Sequence, residues 1–153
     1  MKSFGYEQVT LCDGFWKSVR ERNATVSLMN VYRRFAQTGR FAALRCEKQD
    51  NPSHIFFDSD VAKWLEAAAY LQHDYPDAQV RAIIDETVDT IIGHQLPCGY
   101  FNSYYQVYKP EKIFMERTEH ELYCAGHLIE AAVALDKCGV NARLLPAMRK
   151  YAD

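Results

Sequence analysis

Apolar residues recur every three or four positions along most of the chain, which is the spacing of one face of an α-helix. The clearest run begins at Val80 and ends at Ile92, and Gly93 follows it as the expected stop signal. Similar runs occupy about 18–39, 58–75, 118–138 and 141–151. The pattern therefore predicts about five helices, without a good series of strands, and so an all-α fold class.

Capping and turn residues predict where these helices begin and end. Asp58 or Ser59 is placed to cap the second helix, and Thr118 with Glu121 matches a capping box at the start of the fourth. The expected terminators are Gly39, Pro76 and Gly139. Residues 1–16 are predicted to be irregular or to form one short strand, whereas 40–57 and about 95–117 read as long connections.

The composition and net charge of the 153-residue chain limit the classes of protein to which it can belong. Hydrophobic residues make up 48% of it, enough for one domain with a real core, and the formal net charge is −2. Because no basic stripe and no long apolar run occurs, we expect neither nucleic acid nor membrane as a partner. The five cysteines form no CxxC pair, and no signal peptide is visible, which together predict a cytoplasmic protein.

The segment TEHELYCAGHLIEAAVALDKCG, residues 118–139, carries the most suggestive polar pattern. His120, Cys124 and His127 are spaced by four and three positions and would share one face of an otherwise apolar helix. Three interpretations compete: a zinc site made of these three side chains, a wall of a substrate pocket, or core histidines with satisfied hydrogen bonds. From the residues alone, core histidines with satisfied hydrogen bonds are the favoured interpretation, and zinc is the least favoured.

Several other side chains of interest have a structural interpretation beside the functional one. Trp64 lies on an apolar stripe and is expected in the core rather than as a sugar platform. Asp58 and Asp60 open a helix, where capping explains two carboxylates better than catalysis does. Tyrosines at 104, 105 and 108 either stack on a sugar or pack the loop, and glutamates 66 and 130 are expected to be solvated or paired.

Four blocks in order, DGFWKSVRERN, FFDSDVAKWLEAAAY, CGYFNSYY and HELYCAGHLIEAAVA, resemble the N-terminal part of glycoside hydrolase family 127, the β-L-arabinofuranosidase family. The resemblance covers roughly residues 13–135. It implies that residues 1–153 are the N-terminal portion of an (α/α)6 barrel, a ring of helical hairpins that this chain leaves incomplete. It also implies retaining hydrolysis of a terminal L-arabinofuranosyl group by a zinc-bound cysteine and a glutamate general acid/base.

Carried over residue by residue, the resemblance names four substrate-binding candidates and no catalytic or metal-binding residue. His120 matches the first histidine of HELYCAGH and is the best candidate for a pocket residue, followed by His127 on the same face. Tyr100 and Asn102 match a loop near the barrel mouth. In the family an aspartate usually stands at position 98 and a glutamine at position 31, where this chain has Cys98 and Val31.

The catalytic glutamate and the zinc-bound cysteine of the family lie beyond Asp153. Zinc is therefore expected in a full-length relative and not within this chain. We expect the isolated chain to be catalytically silent, which cleavage of an aryl β-L-arabinofuranoside by purified, metal-replete protein would contradict. The implied partners are an arabinose-containing glycan and the missing C-terminal part of the barrel. The alternative is an inactive helical remnant that acts as a structural or self-associating domain.

Overall fold

The computed structural model describes residues 4–153, apart from the side chain of Glu7, and every regular element in that range is helical. A π-helical turn, Asn23–Ser27, joins the first two helices, and single 3-10 turns lie at Tyr6–Gln8 and Pro110–Lys112. The all-α prediction is confirmed, since each of the predicted runs contains a helix. The helices are α1 (Gly14–Arg22), α2 (Leu28–Gln37), α3 (Arg40–Ala43), α4 (Phe57–Asp74), α5 (Ala78–His94), α6 (Tyr105–Tyr108), α7 (Glu121–Lys137) and α8 (Leu144–Ala152).

Helices α4 and α7 form the centre of the molecule and lie side by side. They run in the same direction, because Lys63 near the start of α4 reaches Tyr123 near the start of α7, with Nζ and the phenol oxygen 2.7 Å apart. Helix α5 connects them and packs against α4, while α8 packs against both α7 and α5. On the other edge, α2 and α3 pack against α4. The result is two layers, with α2, α4 and α7 in one and α5 and α8 in the other.

The core lies between these layers and follows the predicted helical stripes. Buried side chains of α4, α5, α7 and α8 form one cluster, in which the predicted α5 stripe supplies Val80, Ile83, Ile84, Val88 and Ile91. Trp64 is also part of it, as predicted: its indole N–H donates to the Leu28 carbonyl at 3.0 Å. Burial of so many large apolar side chains supplies most of the stability of a helical domain of this size.

For residues 1–16 the sequence predicted irregular backbone or one short strand, and the structure shows the first of these over residues 4–13. Within residues 4–13 the backbone is irregular apart from the turn at Tyr6–Gln8, and the predicted short strand is not found there. Val9 and Leu11 are exposed and have no neighbouring strand to pair with. Helix α1 begins at Gly14, four residues earlier than predicted. The part of the prediction that concerns residues 1–3 lies outside the described residues.

The predicted caps are wrong at two helices. Neither Asp58 nor Ser59 caps α4, because the Asp58 carboxylate turns into the core and Ser59 Oγ donates to the Phe56 carbonyl. Helix α7 begins at Glu121 rather than Thr118, and the Glu121 side chain bonds to other segments instead of closing a capping box. Both carboxylates satisfy buried donors, which local capping rules do not take into account.

The observed helix ends agree better with the prediction where glycine was the expected stop signal. Gly39 and Gly139 have φ of 82° and 66°, the left-handed conformation that stops a helix. Helix α5, however, runs through Gly93 to His94. The two long connections contain the short helices α3 and α6. None of the helices formed by residues 4–153 has the length and apolarity needed to cross a bilayer.

Candidate functional site

An open cleft of about 720 Å³ lies where the N-terminal ends of α4 and α7 meet. Helix α4 contributes side chains from its first two turns, and α7 contributes the residues at its start. Helix α3 and the segment before α4 close the other side. The lining residues are Arg40, His54, Phe56, Phe57, Ser59, Asp60, Lys63, His120 and Tyr123.

The cleft has a positive balance of charge in a chain whose net charge is negative. Arg40 Nε lies 2.7 Å from Asp60 Oδ2, so these two opposite charges pair, and the guanidinium stacks on the Phe57 ring at 4.6 Å. Lys63 donates to the Tyr123 hydroxyl and lies over its ring. Asp60 is the only carboxylate among the residues that line the cleft. The lining therefore offers a bound molecule mainly hydrogen-bond donors and aromatic faces.

His120 projects from a single left-handed residue directly before α7, with φ of 61° and ψ of 17°. Its imidazole lies edge-on to Phe56, with ring centroids 4.6 Å apart, and 5.8 Å from the centroid of Tyr123. No hydrogen bond from another residue of the described chain occupies its ring nitrogens. The imidazole therefore offers one donor and one acceptor to the cleft, framed by two aromatic rings.

The other members of the His120–Cys124–His127 pattern have separate surroundings. Cys124 is buried, and its thiol donates to the Ile55 carbonyl. His127 lies one turn further along α7, packed edge-on against Tyr123 at 4.6 Å, with Nδ1 2.9 Å from Glu130 Oε2. Within residues 4–153 no group of three or more His, Cys, Asp or Glu side chains is placed to hold a metal ion. The described residues therefore do not fit the zinc considered from the sequence.

Tyr100 and Asn102 lie behind the cleft rather than in its wall. Both are buried. The Tyr100 hydroxyl donates to Glu121 Oε1 at 2.5 Å, and Asn102 Oδ1 accepts from the backbone N–H groups of Tyr104 and Tyr105. These two side chains shape the segment that supports α7. Of the four predicted site residues, His120 lies in the cleft and His127 lies beside it. Tyr100 and Asn102 lie beneath it.

A second, mostly apolar hollow of about 290 Å³ adjoins the cleft and shares Asp60 and Lys63 with it. Val31 lines this hollow, on the exposed side of α2. Sequence reasoning missed Arg40, His54 and Lys63 as cleft residues. A signal existed for Lys63, because it is the only cation in the DSDVAKWLEA block.

A buried carboxylate lies beneath the cleft, at the start of α4. Asp58 accepts from both the backbone N–H and the hydroxyl of Ser103, with donor–acceptor distances of 2.8 and 2.5 Å. Burial raises the Asp58 pKa to about 6, and the Ser103 hydrogen bonds oppose that rise. Burial and the nearby Asp58 charge also raise the pKa of Cys46 and of Cys124 to about 12, so both thiols stay protonated at neutral pH. Neither is a nucleophile in this setting.

Comparisons of the sequence and of the structure with known proteins point to the same family. A model of the β-L-arabinofuranosidase GH127 catalytic domain matches residues 8–153. The non-reducing end β-L-arabinofuranosidase of Bifidobacterium longum subsp. longum is 40% identical over 105 residues, which are 65% of this chain and 16% of that protein.

Two solved structures share the fold. A GH127 β-L-arabinofuranosidase from Geobacillus stearothermophilus T6 superimposes with a TM-score of 0.87 at 35% identity, over 94% of this chain and 25% of that one. A GH127 β-arabinofuranosidase gives 0.82 at 27% identity, over 97% and 26%. The chain thus spans between 16% and 26% of the length of these relatives, and its two helical layers are a sector of an incomplete (α/α) barrel. With a family match from residue 8 to residue 153, the chain belongs to the GH127 β-L-arabinofuranosidase catalytic domain family.

Proposed function

We propose that this chain supplies one wall of the sugar pocket of a retaining β-L-arabinofuranosidase, and that the cleft around His120 receives a terminal L-arabinofuranosyl group. The observation that carries the proposal is the placement of His120, an imidazole without a protein hydrogen-bond partner in the described chain, between the rings of Phe56 and Tyr123. Sugars present hydroxyls at their edges and C–H groups on their faces. An imidazole beside aromatic rings matches both.

The remaining lining side chains fit the same class of ligand. Lys63 and His54 add further donors to the cleft, and the paired Arg40 and Asp60 add a polar edge. Tyr100, Asn102 and His127 act from behind or beside this wall. The glycan to be bound is an arabinose-containing oligosaccharide, and we place the protein in the cytoplasm, in keeping with the thiols at Cys12, Cys46, Cys98 and Cys124.

Catalysis requires groups that residues 4–153 do not bring together. The cleft holds one carboxylate, Asp60, already paired with Arg40, and the cysteines near it have raised pKa values. The nucleophilic cysteine, its zinc and the general acid/base therefore belong to the remainder of the barrel, and the isolated chain is catalytically inactive. Exposed apolar side chains such as Met115 and Leu122, each 72% exposed, offer surface for that remainder to cover.

The same exposed side chains favour one alternative, a helical remnant that self-associates without binding sugar. Phe15 and Trp16 on α1 are also exposed, and their rings contact each other. Sedimentation of the chain as a concentration-dependent oligomer, together with no response to sugar, would support this alternative over the pocket wall.

Titration with methyl β-L-arabinofuranoside, followed by amide and side-chain NMR shifts, tests the pocket wall. We expect saturable shifts confined to the cleft, and an affinity about tenfold weaker in His120→Ala, because loss of one well-placed hydrogen bond and its ring contact costs about 1.4 kcal/mol. His73→Ala is the matched control, since His73 is exposed and lies outside the cleft lining. Equal affinity in the His120 and His73 variants would contradict the proposal.

A further inference from the structure

His120 has an uncommon backbone conformation that its neighbours must maintain. Its φ of 61° lies in the left-handed region, which side chains other than glycine rarely adopt. Such a residue persists only where the surrounding structure determines it. The direction of the imidazole depends on this turn, because His120 is the last residue before the rigid helix α7.

Both residues beside His120 are held by tyrosines from a single distant segment. On the C-terminal side, Glu121 Oε1 accepts from the Tyr100 hydroxyl at 2.5 Å. On the N-terminal side, Glu119 Oε2 accepts from the Tyr105 hydroxyl at 2.7 Å. The left-handed residue thus lies between two carboxylates that are each bonded to the 100–105 segment.

Both oxygens of the Glu121 carboxylate accept hydrogen bonds from protein donors. It is buried, and its second oxygen accepts from the backbone N–H of Phe114 at 2.9 Å. Burial and the adjoining carboxylates raise the pKa of Tyr100 and of Tyr105, so both phenols stay protonated and donate. Neither Glu119 nor Glu121 lines the cleft.

The tyrosine segment is itself fixed to α4, which forms the opposite side of the cleft. Asp58 at the start of α4 accepts two hydrogen bonds from Ser103, between the two tyrosines. A continuous series of bonds therefore runs from α4, through residues 100–105, to both sides of His120. This arrangement sets the distance between the imidazole and the Phe56 ring that faces it.

We propose that Glu121 and Glu119, bonded to Tyr100 and Tyr105, are positioning residues that hold His120 in its left-handed turn and direct its imidazole into the sugar cleft. This inference deepens the proposed function and rests on it for the identity of the ligand. The positioning itself concerns only the geometry of His120. Two carboxylates that never touch the sugar would thereby control how well it binds.

Side-chain NMR of the five histidines in the 153-residue chain gives a direct test. In Glu121→Gln, the His120 ring resonances should shift and their nuclear Overhauser contacts with Phe56 should weaken, while His54 and His73 stay unchanged. Glu130→Gln is the matched control on the same helix, because Glu130 lies beside His127 and should affect only that ring. Tyr100→Phe removes only the donor hydroxyl and provides the same test if Glu121→Gln does not fold.

Affinity for methyl β-L-arabinofuranoside adds a functional measurement. Glu121→Gln and Tyr100→Phe should each weaken binding about five- to tenfold in the parent but have no further effect in His120→Ala, since they act through that imidazole. Unchanged His120 resonances in both variants, or a full additional loss in the His120→Ala background, would overturn the inference. If the resonances move as expected but no variant, nor the parent, binds the sugar, the positioning stands and the proposed ligand is wrong.

Discussion

Replacement of Gly99 by alanine is expected to lower the free energy of unfolding by about 3 kcal/mol or more, the largest effect of any single methyl group added to this chain. Gly99 has φ of 96°, which strains any residue with a Cβ. A Cβ there would also press against the Lys150 carbonyl, with the carbonyl carbon only 2.7 Å away. Because that group belongs to the backbone of α8, relief requires the helix to move.

The measurement is urea or guanidinium unfolding followed by circular dichroism. Gly93→Ala is the matched control, since Gly93 lies inside α5 and a Cβ there meets nothing within 4 Å. It should stabilise the protein by about 0.5–1 kcal/mol, through better helix propensity. Since Gln95 also bonds the carbonyls of Gly99 and Ala147, a Gly99 variant as stable as the parent would mean that α8 is not held against this turn.

The contribution of Asp58 to the stability of the chain is expected to fall as the pH rises from about 4 to about 6. Burial raises its pKa in the folded state to about 6, from an ordinary value of 3.8. The folded protein therefore holds this proton more tightly than the unfolded chain, so the stabilising contribution is fully present below pH 4 and is lost by about pH 6. A difference of about two pKa units corresponds to about 3 kcal/mol.

Unfolding curves of the parent and of Asp58→Asn, measured at several pH values between 4 and 7, isolate this contribution. The difference between the two free energies should change by about 3 kcal/mol over this range, since the amide does not titrate. Ser103→Ala should move the change to higher pH, because the Ser103 hydroxyl bond lowers the Asp58 pKa. Parallel curves for parent and Asp58→Asn would show that Asp58 ionises in the folded state as it does in the unfolded chain.

Local sequence patterns were enough to predict the helices, but not which hydrogen bonds the residues at the helix ends form. Glu121 illustrates the difference: its position three residues after Thr118 matches a capping box, yet its carboxylate bonds Tyr100 and Phe114. The energetic reason is that buried donors from another segment need an acceptor more than exposed helix-end N–H groups, which water satisfies. The same reason turns Asp58 toward Ser103.

The candidate site was predictable only in part for a related reason. His120 was singled out from its motif, and the structure places it in the lining of a cleft. Its partners in that cleft come from three other stretches of chain, with Arg40 eighty residues away and Lys63 on a parallel helix. Tyr100 and Asn102 were named from the same resemblance but support the wall from behind.

Four features could be inferred from the residues alone: the all-α class, the runs of chain that become helices, the apolar stripes that fill the core, and the family. These follow from interactions between residues a few positions apart, and from motifs that need no coordinates to be recognised. Other features became clear only from the fold: which side chains meet at the starts of α4 and α7, and which carboxylates are buried. The same holds for His120, which lies in a left-handed turn before its helix rather than within it. Those outcomes depend on contacts between segments that are far apart in the chain, where satisfying buried polar groups outweighs local preference.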